Sequence, residues 1–483
     1  MTKVVQYHLV FKVLSRNLFI LSGALIVSSA LAYYFSEPIL PMAVPAALSL
    51  LAGLVIHYFT RSLDAQVTLH REDAYLTVTL SWLVISLIGS LPYVISGAIP
   101  SFVNAFFESV SGFTTTGSSI LTDIEILPRS VVFWRSLTHW IGGIGIIVLV
   151  ILVMPSLKIG GYHLFILESS LQEKIHPKAK SVGERLLLIY IILTVAEGAL
   201  LRLGGMNWFE SVCHAFGTVA TGGFSPKNDS IASYSPYIQY VVMVFMLLAG
   251  TNFVVHYYLL KRKFDKIRQN DEFRAYLGVI LLVGLVITSI LFFKTPRPME
   301  QSIRDGFFQV VSIITCTGFA TDDYLLWPQY AWIIIFLAMF LGGSTGSTAG
   351  GIKIARHVVV YKNFARIFRQ LRFPHAIFHI HLNHQPVSDE RNTSILTFVS
   401  LYLLVFALGT LSMIAVGLDM STASGSVATC MAGIGPGIGT VGPASNFAHL
   451  PVLGKIILSF LMILGRLEIY TVLILFSRSF WRK

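Results

Sequence analysis

Charge is what this sequence has least of. Asp, Glu, Lys and Arg make up 12% of its 483 residues while 54% are hydrophobic, against about 25% charged in an ordinary soluble domain. With mean hydropathy at +0.72, a chain folded wholly in water is excluded. Cysteine is nearly missing too: Cys213, Cys316 and Cys430 are the only ones, an odd and low count that excludes a disulfide framework. No Ser/His/Asp or paired-carboxylate constellation stands out, so no enzyme is expected. A cleavable leader is also missing. The first apolar stretch, residues 18–35, has no small-residue cleavage site and runs straight into another, which makes it a retained helix. Acid is scarce relative to base, at 24 against 35 residues and a net charge of +11.

What is present is a succession of apolar segments, enough for one bundle of about ten spanning helices at ~20 residues each. The basic residues sit between them in clusters: Lys3, Lys12 and Arg16; Lys158, Lys174, Lys178 and Lys180; Lys261, Arg262, Lys263, Lys266 and Arg268; Lys353, Arg356, Lys362, Arg366, Arg369 and Arg372; Arg478, Arg482 and Lys483. Charge that follows topology in this way excludes a nucleic-acid surface. By the positive-inside bias all five clusters, and with them both termini, face the cytoplasm.

Four glycine-centred segments recur at intervals of roughly one hundred residues: Thr114-Thr115-Thr116-Gly117, Val219-Ala220-Thr221-Gly222, Thr315-Cys316-Thr317-Gly318 and Gly433-Ile434-Gly435. Each follows a stretch able to form a short helix, and long apolar segments flank each unit. The units also echo one another. Phe107-Glu108-Ser109-Val110-Ser111 and Phe308-Gln309-Val310-Val311-Ser312 stand at the same distance from their glycines. Phe209-Glu210-Ser211-Val212 lies three residues further from Gly222, and Gly425-Ser426-Val427-Ala428-Thr429 is the most divergent. The chain therefore divides into an N-terminal two-helix hairpin (residues 1–70) and four repeats (71–155, 156–270, 271–390 and 391–483). Each repeat is an outward helix, a short helix, a glycine turn and a return helix. The fold class is all-α and membrane-integral, with four pseudo-symmetric repeats around one central pore. Four backbone segments around an axis can replace the water shell of a monovalent cation with carbonyl oxygens, and glycine supplies the positive φ such a segment needs. The filter residues on this reading are Thr115, Thr116 and Gly117; Ala220, Thr221 and Gly222; Cys316, Thr317 and Gly318; and Gly433, Ile434 and Gly435.

Two features interrupt spans. Gly342-Gly343-Ser344-Thr345-Gly346-Ser347-Thr348-Ala349-Gly350-Gly351 breaks the third return helix. Each glycine costs about 1 kcal/mol in a helix, and irregular backbone at membrane depth is tolerated where it lines water or is buried in protein. It reads as a loop in the ion path below the filter, or as a hinge. Arg466 falls within the last apolar stretch. An arginine there is costly and faces the bundle interior, either against the carbonyls of the glycine loop or paired with Glu468. Glu108 and Glu210 on the short helices either attract cations at the outer mouth or bind backbone amides. His375, His379, His381 and His384 cluster without cysteine or carboxylate, so a polar loop or partner surface fits better than zinc.

With these residues assembled, the chain resembles the Trk/Ktr/HKT superfamily of potassium transporters, and within it the bacterial TrkH-type subunit. The N-terminal hairpin, Phe107-Glu108-Ser109 with Thr114-Thr115-Thr116-Gly117, Ala349-Gly350-Gly351, Gly465-Arg466-Leu467-Glu468 and Phe480-Trp481-Arg482 carry the resemblance over nearly the whole chain. It implies potassium selectivity with Gly117, Gly222, Gly318 and Gly435 as filter glycines, and a gate formed by the 342–351 loop with Arg466. It also implies a homodimer in the bacterial inner membrane and a cytosolic TrkA-type nucleotide-binding partner. The nucleotide would sit on that partner, no cofactor on this chain, and potassium would be the only metal. Where the family commonly carries an asparagine pair before the fourth glycine, this chain has Ala432-Gly433. The competing reading is a carrier that couples potassium to protons or sodium. Carriers tend to have inverted repeats and broken helices meeting at the midplane; four repeats of one topology, with no lone carboxylate standing out, favour a pore.

Overall fold

The computed structural model describes residues 6–61, 71–148, 179–383 and 385–481. Lys3, Lys158, Lys174, Lys178, His384, Arg482 and Lys483 lie outside them, as does the side chain of Lys180. Two helices, Tyr7–Tyr34 and Leu40–Thr60, form the N-terminal hairpin. The first extends well before residue 18, carrying Lys12 and Arg16 within its opening turns.

Each repeat opens on a long helix, the one expected to run outward: Arg71–Ile95, Ala179–Leu203, Asp271–Lys294 and Asp389–Ala415. With the hairpin these give six helices long and apolar enough to cross a membrane among the described residues. Their outer faces stay apolar and uncovered, with Ile20, Leu51, Val195, Leu282 and Leu411 all exposed. Such a face is stable against acyl chains and costly in water.

A short helix follows in every repeat: Phe102–Phe113, Trp208–Val219, Met299–Ile314 and Met420–Ala432. Most residues of each are buried. Phe107, Glu108, Val110, Phe113, Phe308, Gln309, Ile313, Val427 and Thr429 have no exposed surface. Asn207 and Asp419 start two of them by accepting from the backbone N–H of Glu210 and Thr422, which satisfies donors a helix leaves open at its first turn.

The return helices differ from the sequence expectation. One break was expected, in the third repeat, where Gln329–Ala338 is separated from Ile354–Arg372 by the glycine loop. Two more are present. Pro236–Ala249 and Phe253–Leu260 meet at 101°, and Val452–Arg466 and Ile469–Phe476 at 116°. The first bend falls at Gly250-Thr251-Asn252, where Asn252 caps the second segment through the N–H of Val254. The second falls at Leu467-Glu468, with Glu468 at φ 66°. Arg466 is therefore the last residue of a helix at a sharp bend rather than a mid-span residue. Among the described residues six spans are unbroken, or eight spans in all if each bent pair counts as one.

Candidate functional site

The four short helices end where the four glycine segments begin, and the segments meet one another in cyclic order. A methyl group on Gly117 would overlap the carbonyl oxygen of Gly222. One on Gly223 would overlap that of Thr317, and one on Gly318 that of Ile434. One on Gly435 would lie 3.1 Å from the carbonyl oxygen of Thr116, which closes the ring from the fourth repeat to the first. The carbonyls of Thr116, Gly222, Thr317 and Ile434 thus occupy equivalent places.

Backbone hydrogen bonds fix the same register. Thr116, Gly222 and Thr317 donate to the carbonyls of Ser111, Gly217 and Ser312, five residues earlier in each case, and Ile434 donates to Thr429 likewise. Left-handed φ angles alternate along every segment: Thr115 and Gly117, Thr221 and Gly223, Cys316 and Gly318, Gly433 and Gly435. This corrects the second repeat by one residue. Gly223, at φ +76°, is the partner of Gly117, while Gly222 takes the place of Thr116 and Ala220 falls one place before the segment. The Thr-Gly-Gly sequence offered two registers, and only backbone geometry separates them. The sequence also gave no sign that Thr115, Thr221 and Cys316 adopt φ between 52° and 57°. A non-glycine residue there costs of order 1–3 kcal/mol and persists only where surrounding structure holds it.

That holding structure is polar and buried. Eight residues before each ring carbonyl stand Glu108, His214, Gln309 and Ser426, and three of them tie down the chain as it leaves its ring segment. Glu108 accepts from the N–H of Ile120 (2.9 Å), the hydroxyl of Ser119 (2.9 Å) and the Nε of Arg135 (2.7 Å). His214 Nε2 lies 3.0 Å from the Ser225 hydroxyl, and the Gln309 amide donates to the Asp322 carbonyl at 2.9 Å. Of the two roles open to Glu108, binding the backbone is the one its contacts fit. Glu210 lies in the first turn of its helix, accepting from the Tyr234 hydroxyl at 2.9 Å. Behind the second segment, Phe224 is sandwiched: the His139 ring stacks on it at 3.9 Å, and the Arg135 guanidinium carbon lies 3.5 Å from its centroid. Paired threonine hydroxyls, Thr114 with Thr116 and Thr315 with Thr317, each 2.8 Å apart, brace the first and third segments.

The 342–351 loop lies against the helix ends that carry the ring. Thr348 Oγ1 donates to the carbonyls of Val219 (3.0 Å) and Ala249 (3.3 Å). The N–H of Ser344 donates to Gly250 (2.9 Å), and that of Phe253 to Gly346 (3.2 Å), so the bend in the second return helix is where this loop is seated. A methyl on Gly350 would strike the carbonyl of Ala432. Ala349 accepts from Lys353 Nζ. Arg466, 7% exposed, donates to the carbonyls of Thr348 (2.7 Å) and Gly142 (3.1 Å), joining loop, fourth repeat and first. Glu468 does not pair with it; Glu468 binds Arg356 at 2.7 Å.

Of the histidine cluster, His381 lies in a minimal hairpin, His381–Leu382 with Gln385–Pro386, and His379 precedes it. Among the described residues no group of His, Cys, Asp or Glu could hold a metal ion. A lone membrane carboxylate does exist: Glu197, on the second outward helix, is fully buried and neither oxygen has a hydrogen-bond partner among the described residues. Its single acidic letter in an apolar run was the available signal.

Residues 48–483 match the family described as TrkH, cation transport protein. The chain is 36% identical over 422 residues to the Trk system potassium uptake protein TrkH of Escherichia coli K12, covering 86% of this chain and 87% of that protein. It is 38% identical over 423 residues to the Trk system potassium uptake protein TrkI of Halomonas elongata, covering 86% and 85%. The crystal structure of the potassium transporter TrkH from Vibrio parahaemolyticus superposes with a TM-score of 0.91 at 30% identity, over 99% of this chain and 100% of that one.

Proposed function

The chain belongs to the TrkH family of cation transport proteins, and from that membership we propose that it takes up potassium across the bacterial inner membrane by channel-like permeation. The observation that carries this reading is the closed ring of glycine segments, with the carbonyls of Thr116, Gly222, Thr317 and Ile434 at equivalent places. A potassium ion entering it exchanges hydration oxygens for carbonyl oxygens. Alternating left-handed φ lets successive peptide planes turn their oxygens to one side. The C-terminal ends of four short helices point at the same place and favour a cation there. The buried contacts of Glu108, His214 and Gln309 hold the backbone so that the ring does not collapse around a smaller ion.

On this reading the 342–351 loop and Arg466 form the gate below the ring. A fixed positive charge beside a narrow dry path repels an arriving cation, more strongly than it would in water. The loop lies against backbone from the second and fourth repeats, and Arg466 ties it to the first, which suits an element whose displacement opens one shared path. Control from outside would come from a cytosolic TrkA-type nucleotide-binding protein docking on the basic cytoplasmic segments, in a homodimer of this chain with its termini on that same side.

The test is the potassium-to-sodium permeability ratio after Gly117→Ser, Gly223→Ser and Gly318→Ser. Each is expected to lower the ratio, because each puts a side chain on a ring carbonyl. An unchanged ratio at Gly117 and Gly318 alike would remove these segments from the ion path.

A further inference from the structure

Beyond Arg466 and Lys353, a further charged residue grips the glycine loop, with the opposite sign to both. Glu272 lies in the first turn of the third outward helix and has no exposed surface. One of its oxygens, Oε1, accepts from the N–H of Thr345 (2.6 Å), the hydroxyl of Thr345 (3.1 Å) and the N–H of Ala355 (3.1 Å). Thr345 is in the loop, and Ala355 is in the first turn of the helix that follows it. A single carboxylate oxygen therefore holds the loop to the N-terminal end of helix Ile354–Arg372, where helix backbone donors stand open and favour an anion. Arg466 takes the loop's carbonyl at Thr348, and Glu272 takes its donors at Thr345. The stretch between them contains Gly346, at φ +75°.

The residue before Glu272 reaches the other way. Asp271 accepts from Lys362 Nζ at 2.6 Å and from the N–H of Asn383 at 3.2 Å, while the Asn383 side chain accepts from the N–H of Asp271 at 2.6 Å. Lys362 is further along helix Ile354–Arg372, and Asn383 lies in the small hairpin after it. Two adjacent carboxylates thus connect loop, helix and hairpin through one helix start.

We propose that Glu272 is a positioning residue for the gate: it holds the 342–351 loop in its blocking place and, with Asp271, passes movements of helix Ile354–Arg372 and its hairpin to that loop. This rests on the gate reading above. Charge-assisted hydrogen bonds are roughly twice as strong as neutral ones, and three donors on one oxygen make Glu272 the loop's strongest single attachment on that side. Releasing it leaves the Thr345 end held only by the neutral backbone bonds of Ser344 and Gly346, while Arg466 still holds Thr348.

The experiment uses the full-length protein in lipid nanodiscs and planar bilayers, comparing wild type with Glu272→Ala, Glu272→Gln and Arg466→Ala. Amide exchange is read at Thr345 and Ala355, with Val310 in a buried short helix as the folding control. Glu272→Ala is expected to speed exchange at Thr345 and Ala355 about tenfold, the shift that follows from losing one charged acceptor, with Val310 unchanged. Basal potassium flux without any partner should rise by a similar factor at an unchanged potassium-to-sodium ratio. Glu272→Gln keeps a carbonyl oxygen and should fall between wild type and Glu272→Ala in both readouts. Unchanged exchange at Thr345 in Glu272→Ala overturns the proposal, as does faster exchange with unchanged flux where Arg466→Ala raises flux. If neither variant alters flux although exchange rises, the gate reading itself has failed and the loop is not the barrier.

Discussion

Gly222 and Gly223 are adjacent yet answer to different constraints. Gly223 is bound by its φ of +76° and by the Thr317 carbonyl beyond it. Neither can be relieved by a neighbouring side chain. Gly222 has no left-handed φ; a methyl there would instead strike the His139 ring. Substituting Gly222 is then a side-chain clash, and substituting Gly223 is a backbone one. Gly222→Ala should lose potassium uptake and regain much of it in combination with His139→Ala. Gly223→Ala should lose it with or without that second change, since the left-handed conformation alone costs an alanine about 1 kcal/mol. Uptake assays on the two double variants check this; rescue of both, or of neither, would contradict the assigned register.

At the scale of elements, the short helices were the most legible part of the sequence. Phe102–Phe113 ends just before Thr114, where the first glycine segment begins, because a short apolar stretch between two spans and before a glycine turn admits few alternatives. The return helices were less so. Gly250-Thr251-Asn252 carries a recognisable capping residue, but an apolar run on both sides outweighs three polar letters when hydropathy is averaged. What breaks that helix is tertiary: the loop of another repeat supplies the donor that Gly250 accepts. The register of the second glycine segment failed for a related reason, since equal glycines leave the choice to contacts from neighbouring repeats. One element carries a pH dependence that is easily checked. Hydrogen bonds from Ser421 and Thr422 hold the Asp419 carboxyl, at the start of the fourth short helix, well below the usual carboxylate range. A folded value below the unfolded ~3.9 means that this cap stabilises above that pH and is lost as pH falls through the folded value. Acidification below about pH 4 should therefore lower the melting temperature of the wild type more than that of Asp419→Asn, as read by a thermal scan in detergent. Equal losses would show that the cap does not couple to the fold's stability.

For the whole molecule, four repeats contribute one segment each to one ring, and breaks in three return helices bring loop, arginine and bends to its neighbourhood. The low charge content and the fourfold glycine periodicity make this architecture readable from the sequence. Glu197, buried and without a hydrogen-bond partner among the described residues, has the features that a proton-coupled carrier requires of a carboxylate. A pore and such a carrier part company in one measurement: the reversal potential of the purified protein in planar bilayers, under a potassium gradient opposed by a proton gradient. The ring of carbonyls predicts reversal at the potassium equilibrium potential, unmoved when the proton gradient is inverted. A reversal potential that moves with the proton gradient would contradict channel-like permeation and place Glu197 in the transport cycle.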